Sequence, residues 1–174
     1  HALTGAWHQY KQARQAAAVA YETAERWAEA AADWHELANR HTDELALAAA
    51  LAAADRAVAC AQQSEQPELV AKTLGNKGYV LSIQGQTAEG ERLAREAVAL
   101  ALAENNAEAS AYAYRKLAGT LEYASDFDGS LRAYDTALAV CRTANLDQQA
   151  LFCMSCMSWI LFRMGDWKRS LEVC

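Results

Sequence analysis

Residue types in this chain recur at a spacing of 40, and no other feature restricts its fold so strongly. Ala17, Ala57, Ala97 and Ala137 form one column, followed by Ala18, Val58, Val98 and Leu138. A second column, Ala38, Gly78, Ala118 and Ser158, holds only small residues. In a third, Gly165-Asp166-Trp167 repeats Ser125-Asp126-Phe127, and in each Ser-Leu follows after two more residues. Gly85 stands one period before Ser125, and Gly5, with Trp7 behind it, two further periods upstream. The chain is rich in alanine, so the register rests on the glycine-aromatic and small-residue columns. A period of this length marks an array of repeated supersecondary units that bury their apolar faces against one another.

Breaks keep the same period. "EQP" at 65–67, "ENN" at 104–106 and "ANLD" at 144–147 each put turn or capping residues before a new helical run, with Pro67 suited to a first helical turn. A second break falls in each unit near Gly85, Ser125 and Gly165. Each unit is therefore a pair of helices. With one proline, eight glycines and an alanine excess, the chain is expected to be all-helical, because alanine is the best helix former and proline the worst. Gly78, Ala118 and Ser158 let paired helices approach closely. Leu74, Tyr114 and Met154, with Leu81, Leu121 and Leu161 seven positions on, supply the apolar stripe between them. The expected architecture is an all-α solenoid of stacked antiparallel helix pairs, about nine helices in all. The units are 27–66, 67–106 and 107–146, with residues 5–26 the second helix of an incomplete unit and 147–174 an incomplete last one.

Charge and hydropathy remove several functions. A net charge of −6 over 174 residues, with an isoelectric point near 5.2, leaves no basic footprint for nucleic-acid phosphates or anionic lipid. The longest apolar run, "LALAAALAAA" at 45–54, is about half the roughly 20 residues that a bilayer-spanning helix needs. No secretory signal opens the chain, which starts at His1. Five cysteines, Cys60, Cys141, Cys153, Cys156 and Cys174, lack the spacing of a disulfide scaffold and suit a reducing, cytoplasmic setting.

The segments "GNKGYVLSIQGQTAEGERLAREAVAL" (75–100) and "KLAGTLEYASDFDGSLRAYDTALAV" (116–140) resemble the tetratricopeptide repeat, and "MSWILFRMGDWKRSL" (157–171) carries most of the same pattern. That pattern is a small residue midway along the first helix, a Gly-x-aromatic turn, then a small residue and an Ala-apolar pair on the second. The resemblance covers nearly the whole chain and implies a right-handed superhelix. Three features depart from it: a period of 40 where the family's usual one is about 34, no proline closing the second helix, and Leu45 at the turn position of the unit 27–66. The longer unit resembles the arrays of MalT-like bacterial regulators and of kinesin light chains. Both ends cut through repeats without a polar capping helix, so the chain reads as a fragment of a longer array.

Motifs for chemistry are sparse. Cys153-Met154-Ser155-Cys156 is a C-x-x-C, but it lies within an expected helix, with no preceding strand and no second pair for zinc, so a packing role is favoured. His35 and His41 flank "ELANR" at a spacing of six, which turns a helix by about 240° and points the rings apart. Phosphate-loop and serine-hydrolase signatures are absent. Glu89/Glu91 and Asp126/Asp128 fall at helix starts, where carboxylates favour the dipole. These readings predict no metal, no cofactor and no catalysis.

What remains is the inner face of the superhelix, lined by the first helix of each pair. Counting from the buried columns puts His35, Asn39, Lys72, Asn76, Tyr79 and Ser82 there, then Tyr112, Arg115, Lys116, Glu122 and Tyr123, then Phe152, Ser155, Trp159, Phe162 and Arg163. The set is aromatic and basic in an acidic chain, a composition suited to an extended or acidic segment of a protein partner. For half of it a solvated or neighbour-packed face is the alternative, and Trp159 and Phe162 also read as core. Some tetratricopeptide domains clamp a C-terminal carboxylate, and the matching positions here are His35, Asn39, Asn76, Tyr112 and Lys116. The leading expectation is a non-catalytic peptide-binding module. The alternatives are an effector-sensing array of a bacterial transcriptional activator and a scaffold that self-associates through its cut ends.

Overall fold

The computed structural model describes residues 2–173, and every regular element among them is a helix. These are α1 (Ala2–Thr23), α2 (Trp27–Asp43), α3 (Leu47–Gln63), α4 (Pro67–Ile83), α5 (Thr87–Ala103), α6 (Ala107–Tyr123), α7 (Phe127–Thr143), α8 (Asp147–Arg163) and α9 (Trp167–Val173). From α2 to α8 every helix has the same length, 17 residues. The connections are equal as well, so successive helices begin half a period apart and each pair closes the full sequence repeat. The helix expected to open at Gly5 runs from Ala2 instead, with Gly5 inside it. Cys174 lies outside the described residues.

One residue in every connection adopts the left-handed conformation: Glu25, Leu45, Glu65, Gly85, Asn105, Ser125, Asn145 and Gly165. In six connections the next residue donates its N–H to the carbonyl five positions back, as Ala46 does to His41 at 2.8 Å and Gln86 to Leu81 at 2.9 Å. That bond stops the helix and reverses the chain within a short turn. Of the turn and capping residues read in "ANLD", Asn145 is the left-handed residue of its turn, and Leu146 takes the N-cap position. Asn106 and Asp126 do cap, accepting from the N–H of Ala109 at 2.9 Å and of Gly129 at 2.8 Å. Pro67 is in the first turn of α4.

Leu45 holds φ 57° with most of its side chain in solvent. An L-residue with a Cβ pays about 1 kcal/mol there that glycine does not. Leu45→Gly is accordingly expected to raise stability by about 1 kcal/mol in urea unfolding. A decrease would show that this turn is not held left-handed.

Pairs α2/α3, α4/α5, α6/α7 and α8/α9 stack in order. The first helices touch one another (α2 with α4, α4 with α6, α6 with α8), while α3, α5 and α7 make no comparable contact among themselves. The first helices therefore form the inner wall and the second helices the outer layer. Within the pairs α4/α5, α6/α7 and α8/α9 the small column meets a second small column. Gly78 lies against the backbone of Gly90, Ser130 donates to the carbonyl of Ala118 at 2.7 Å, and Ser170 donates to that of Ser158 at 2.9 Å. The main core runs from Val58 to Leu161 and includes Leu74, Leu81, Leu93, Leu117, Leu121 and Ile160. A smaller alanine-rich core joins α1, α2 and α3 around Trp34 and Leu37. There Glu22 accepts from Trp34 Nε1 at 2.7 Å, from Cys60 Sγ at 3.3 Å, and from Arg56, whose guanidinium lies 4.0 Å from the Trp34 ring centre. Burial pushes the Glu22 carboxyl up, but these three donors and the Arg56 charge outweigh it and hold the group ionised.

Candidate functional site

The inner wall places its functional side chains because positions three and four apart on a helix share a face. On α2 these are His35 and Asn39, on α4 Lys72, Asn76 and Tyr79, and on α6 Tyr112, Arg115 and Lys116. They converge across three helices. Tyr112 Oη lies 3.0 Å from His35 Nε2, and Lys116 Nζ donates to Asn39 Oδ1 at 3.3 Å. Both bridges span 77 positions of sequence.

The Tyr112 ring gathers three cations: Arg115 at 5.3 Å, Lys116 at 5.4 Å and Lys72 at 5.5 Å from its centre. Arg115 also lies 4.3 Å from the centre of Phe152, and Lys116 4.7 Å from that of Tyr79. Among the described residues, no carboxylate lies within ion-pair distance of Lys72, Arg115 or Lys116. Burial, reinforced by repulsion from Arg115 and opposed by Asp43, pulls the Lys116 ammonium down to about 7. Burial, with the charges of Lys116 and Lys72, takes His35 down to about 3, so its imidazole is neutral at physiological pH. Burial likewise pushes the Tyr112 phenol up.

Asn76 is 1 % exposed, and neither its Nδ2 nor its Oδ1 has a hydrogen-bond partner. A buried amide with both functions unmet is costly. His35 Nδ1 and Arg115 Nε are buried and unpartnered as well. Beside this cluster, the first turns of α4 and α6 enclose a cavity of about 180 Å³ lined in part by Glu68, Lys72, Glu108 and Tyr112. The two glutamates were not among the residues assigned to the groove from sequence, although they occupy one repeat column just inside two helix starts.

Several expected groove residues act differently. Ser82 is buried and donates to the Gly78 carbonyl at 3.1 Å, so its hydroxyl serves its own helix. Arg163 pairs with Glu122 at 2.7 Å and lies over the Phe127 ring, which cancels the charge each was expected to offer. Trp159 and Phe162 are 56 % and 55 % exposed and stack on each other at 6.1 Å, which overturns their reading as core. Phe152 and Tyr123 are exposed too, and Ser155 donates to the Leu151 carbonyl at 3.1 Å. Tyr79 meets Tyr123 edge-on at 5.8 Å and lies against Gly119, where a Cβ would come within 2.7 Å of the ring. Cys153 is buried, its thiol pushed up to about 12 chiefly by burial, and Cys156 is half-buried and shifted the same way. Neither has thiolate character at neutral pH. No group of three or more His, Cys, Asp and Glu side chains among the described residues is arranged to hold a metal ion, and no described helix is long and apolar enough to cross a membrane.

No protein-family model and no curated protein matches the sequence. Solved structures do match the fold. A Rap protein complexed with the competence and sporulation factor superposes with a TM-score of 0.70 at 16% identity over 87% of this chain and 40% of that one. BtubC from P. vanneervenii gives 0.68 at 14% identity, over 97% of this chain and 68% of that one. Nearly identical tetratricopeptide-like repeats of a Podosopora anserina putative kinesin light chain give 0.60 at 15% identity, over 95% of this chain and 87% of that one. This chain spans less than half the length of the Rap structure. At these identities the likeness is one of fold, and the fold is the tetratricopeptide-type helical solenoid.

Proposed function

We propose that this array is a non-catalytic module that binds an extended, acid-bearing peptide segment of a protein partner along its inner wall. One observation carries the reading: three cations gather on the Tyr112 ring without a carboxylate in ion-pair distance, beside the buried Asn76 amide whose donor and acceptor are both unmet. An extended main chain offers a C=O and an N–H, the complement of that amide. Acidic side chains would pair with Lys72 and Arg115 and draw a proton onto Lys116, whose ammonium is otherwise held down at about 7 by burial and the Arg115 charge. The exposed Tyr123, Phe152 and Trp159 supply apolar contact area at the edge of the cluster. The Rap structure, solved with the competence and sporulation factor, is a precedent for ligand binding by this type of fold. The four described cysteines are free, which fits a reducing compartment such as the cytoplasm.

Synthetic peptides graded in Glu and Asp content, read by fluorescence anisotropy, test the proposal. Affinity is expected to rise with acid content, to fall with added salt, and to drop at least about tenfold in Lys72→Glu/Arg115→Glu protein whose circular dichroism is unchanged. Binding indifferent to both acid content and charge reversal would overturn it.

A further inference from the structure

We infer that the groove is held shut by its own side chains: Tyr112 and Lys116 of α6 close a clasp over α4 onto His35 and Asn39 of α2, and an entering peptide must open it. This rests on the peptide-binding reading above and adds a gate to it. The geometry is that of a clasp because each side contributes residues four apart, 35 and 39 on α2 and 112 and 116 on α6. Each pair projects from one helix face, and the two bridges run side by side. α4 lies between α2 and α6 and packs against both. The two bridges therefore cross over α4, on the face that carries Asn76.

The clasp explains how Asn76 is 1 % exposed on a face that otherwise looks into the groove. It is also poised to open. The Lys116–Asn39 bond is long at 3.3 Å and joins uncharged amide to ammonium, with no carboxylate to strengthen it. The same closure holds Lys116 with Lys72 and Arg115 around one ring. Lys116 covers Gly75 as well, its Cβ 3.5 Å from where a Gly75 side chain would begin. Opening turns the Lys116 ammonium and the Tyr112 hydroxyl away from α2 and uncovers the unmet Asn76 amide, while the Cβ contact over Gly75 stays fixed by the α6 backbone. The charge cluster that favours an acidic ligand also strains the closed form, so ligand entry and clasp release favour each other.

The decisive experiment pairs a readout without ligand with one that uses it. In the full chain, solvent exchange of the Asn76 side-chain amide protons, assigned by their loss in Asn76→Asp, is expected to be slow. In Tyr112→Phe/Asn39→Ala, which keeps the ring but removes both bridges, exchange is expected to speed at least about tenfold, with backbone amide protection unchanged. The same variant is expected to bind a fluorescein-labelled Glu-rich peptide with an association rate at least about fivefold higher, the smallest factor that loss of two net hydrogen bonds from the closed state gives. Fast Asn76 exchange in the unaltered protein would overturn the clasp. So would an association rate that stays level or falls in the variant. Slow exchange released by the variant, with no peptide binding in either protein, would keep the closed contact but overturn the binding reading and with it the gate.

Discussion

Gly78→Ala is expected to cost about 3 kcal/mol of stability, whereas Gly75→Ala, three positions earlier on the same helix, is expected to be neutral or to gain up to about 1 kcal/mol. A Cβ at Gly78 would stand 2.6 Å from the carbonyl oxygen of Gly90 and 3.1 Å from the amide nitrogen of Ala94. Both obstacles are backbone, so relief requires α5 to move off α4, and that pair lies in the middle of the main core. A Cβ at Gly75 meets the Ala97 and Lys116 side chains at 3.4 and 3.5 Å, ordinary contact distances, so the entropic gain of alanine over glycine is not consumed by a clash. Urea unfolding of the two variants measures the contrast. Equal stability of both would mean that α4 and α5 are not pressed together at this crossing.

Lys116→Met should stabilise the protein, by about 1–3 kcal/mol near pH 6, because it replaces a desolvated charge with a side chain of similar length. Lys116 titrates near 7 in the fold against 10.5 for an ordinary lysine, mainly through burial and then through repulsion by Arg115. Between those two values the unfolded chain holds the extra proton, so stability rises with pH across the window; below about 7 the ammonium is charged in both states and the penalty is fully present. The variant should therefore flatten the rise in stability between about pH 7 and 10. His35 acts in a separate window. Its folded value near 3 lies below the ordinary 6.5, so the unfolded chain again binds more protons, and stability falls as pH drops from 6.5 toward 3. That acid loss should persist in Lys116→Met, because burial is its largest cause, but be smaller, because the Lys116 charge that also holds His35 down is gone. A variant no more stable than the parent at pH 6, with the same slope above pH 7, would show that Lys116 is solvated.

The helices, their pairing, the close crossing at Gly78 and the special turn positions follow from the order of residues alone. Each depends on local chemistry that repeats: alanine for helix, small residues where backbones cross, and a fixed column for the left-handed turn, which even Leu45 obeys. Periodicity also assigned His35, Asn39, Asn76, Tyr112 and Lys116 to one wall, because the residues of a column share a face. It could not say what those side chains do there. Glu122 cancels Arg163 across 41 positions, Glu22 ties Arg56 and Trp34 to α1, and Tyr112 reaches His35 across 77. These outcomes depend on side-chain reach between helices that are distant in sequence. Only the stacked solenoid brings such groups within a few ångströms, and the same stacking removes the water that would otherwise keep Lys116 and His35 at their ordinary acidities.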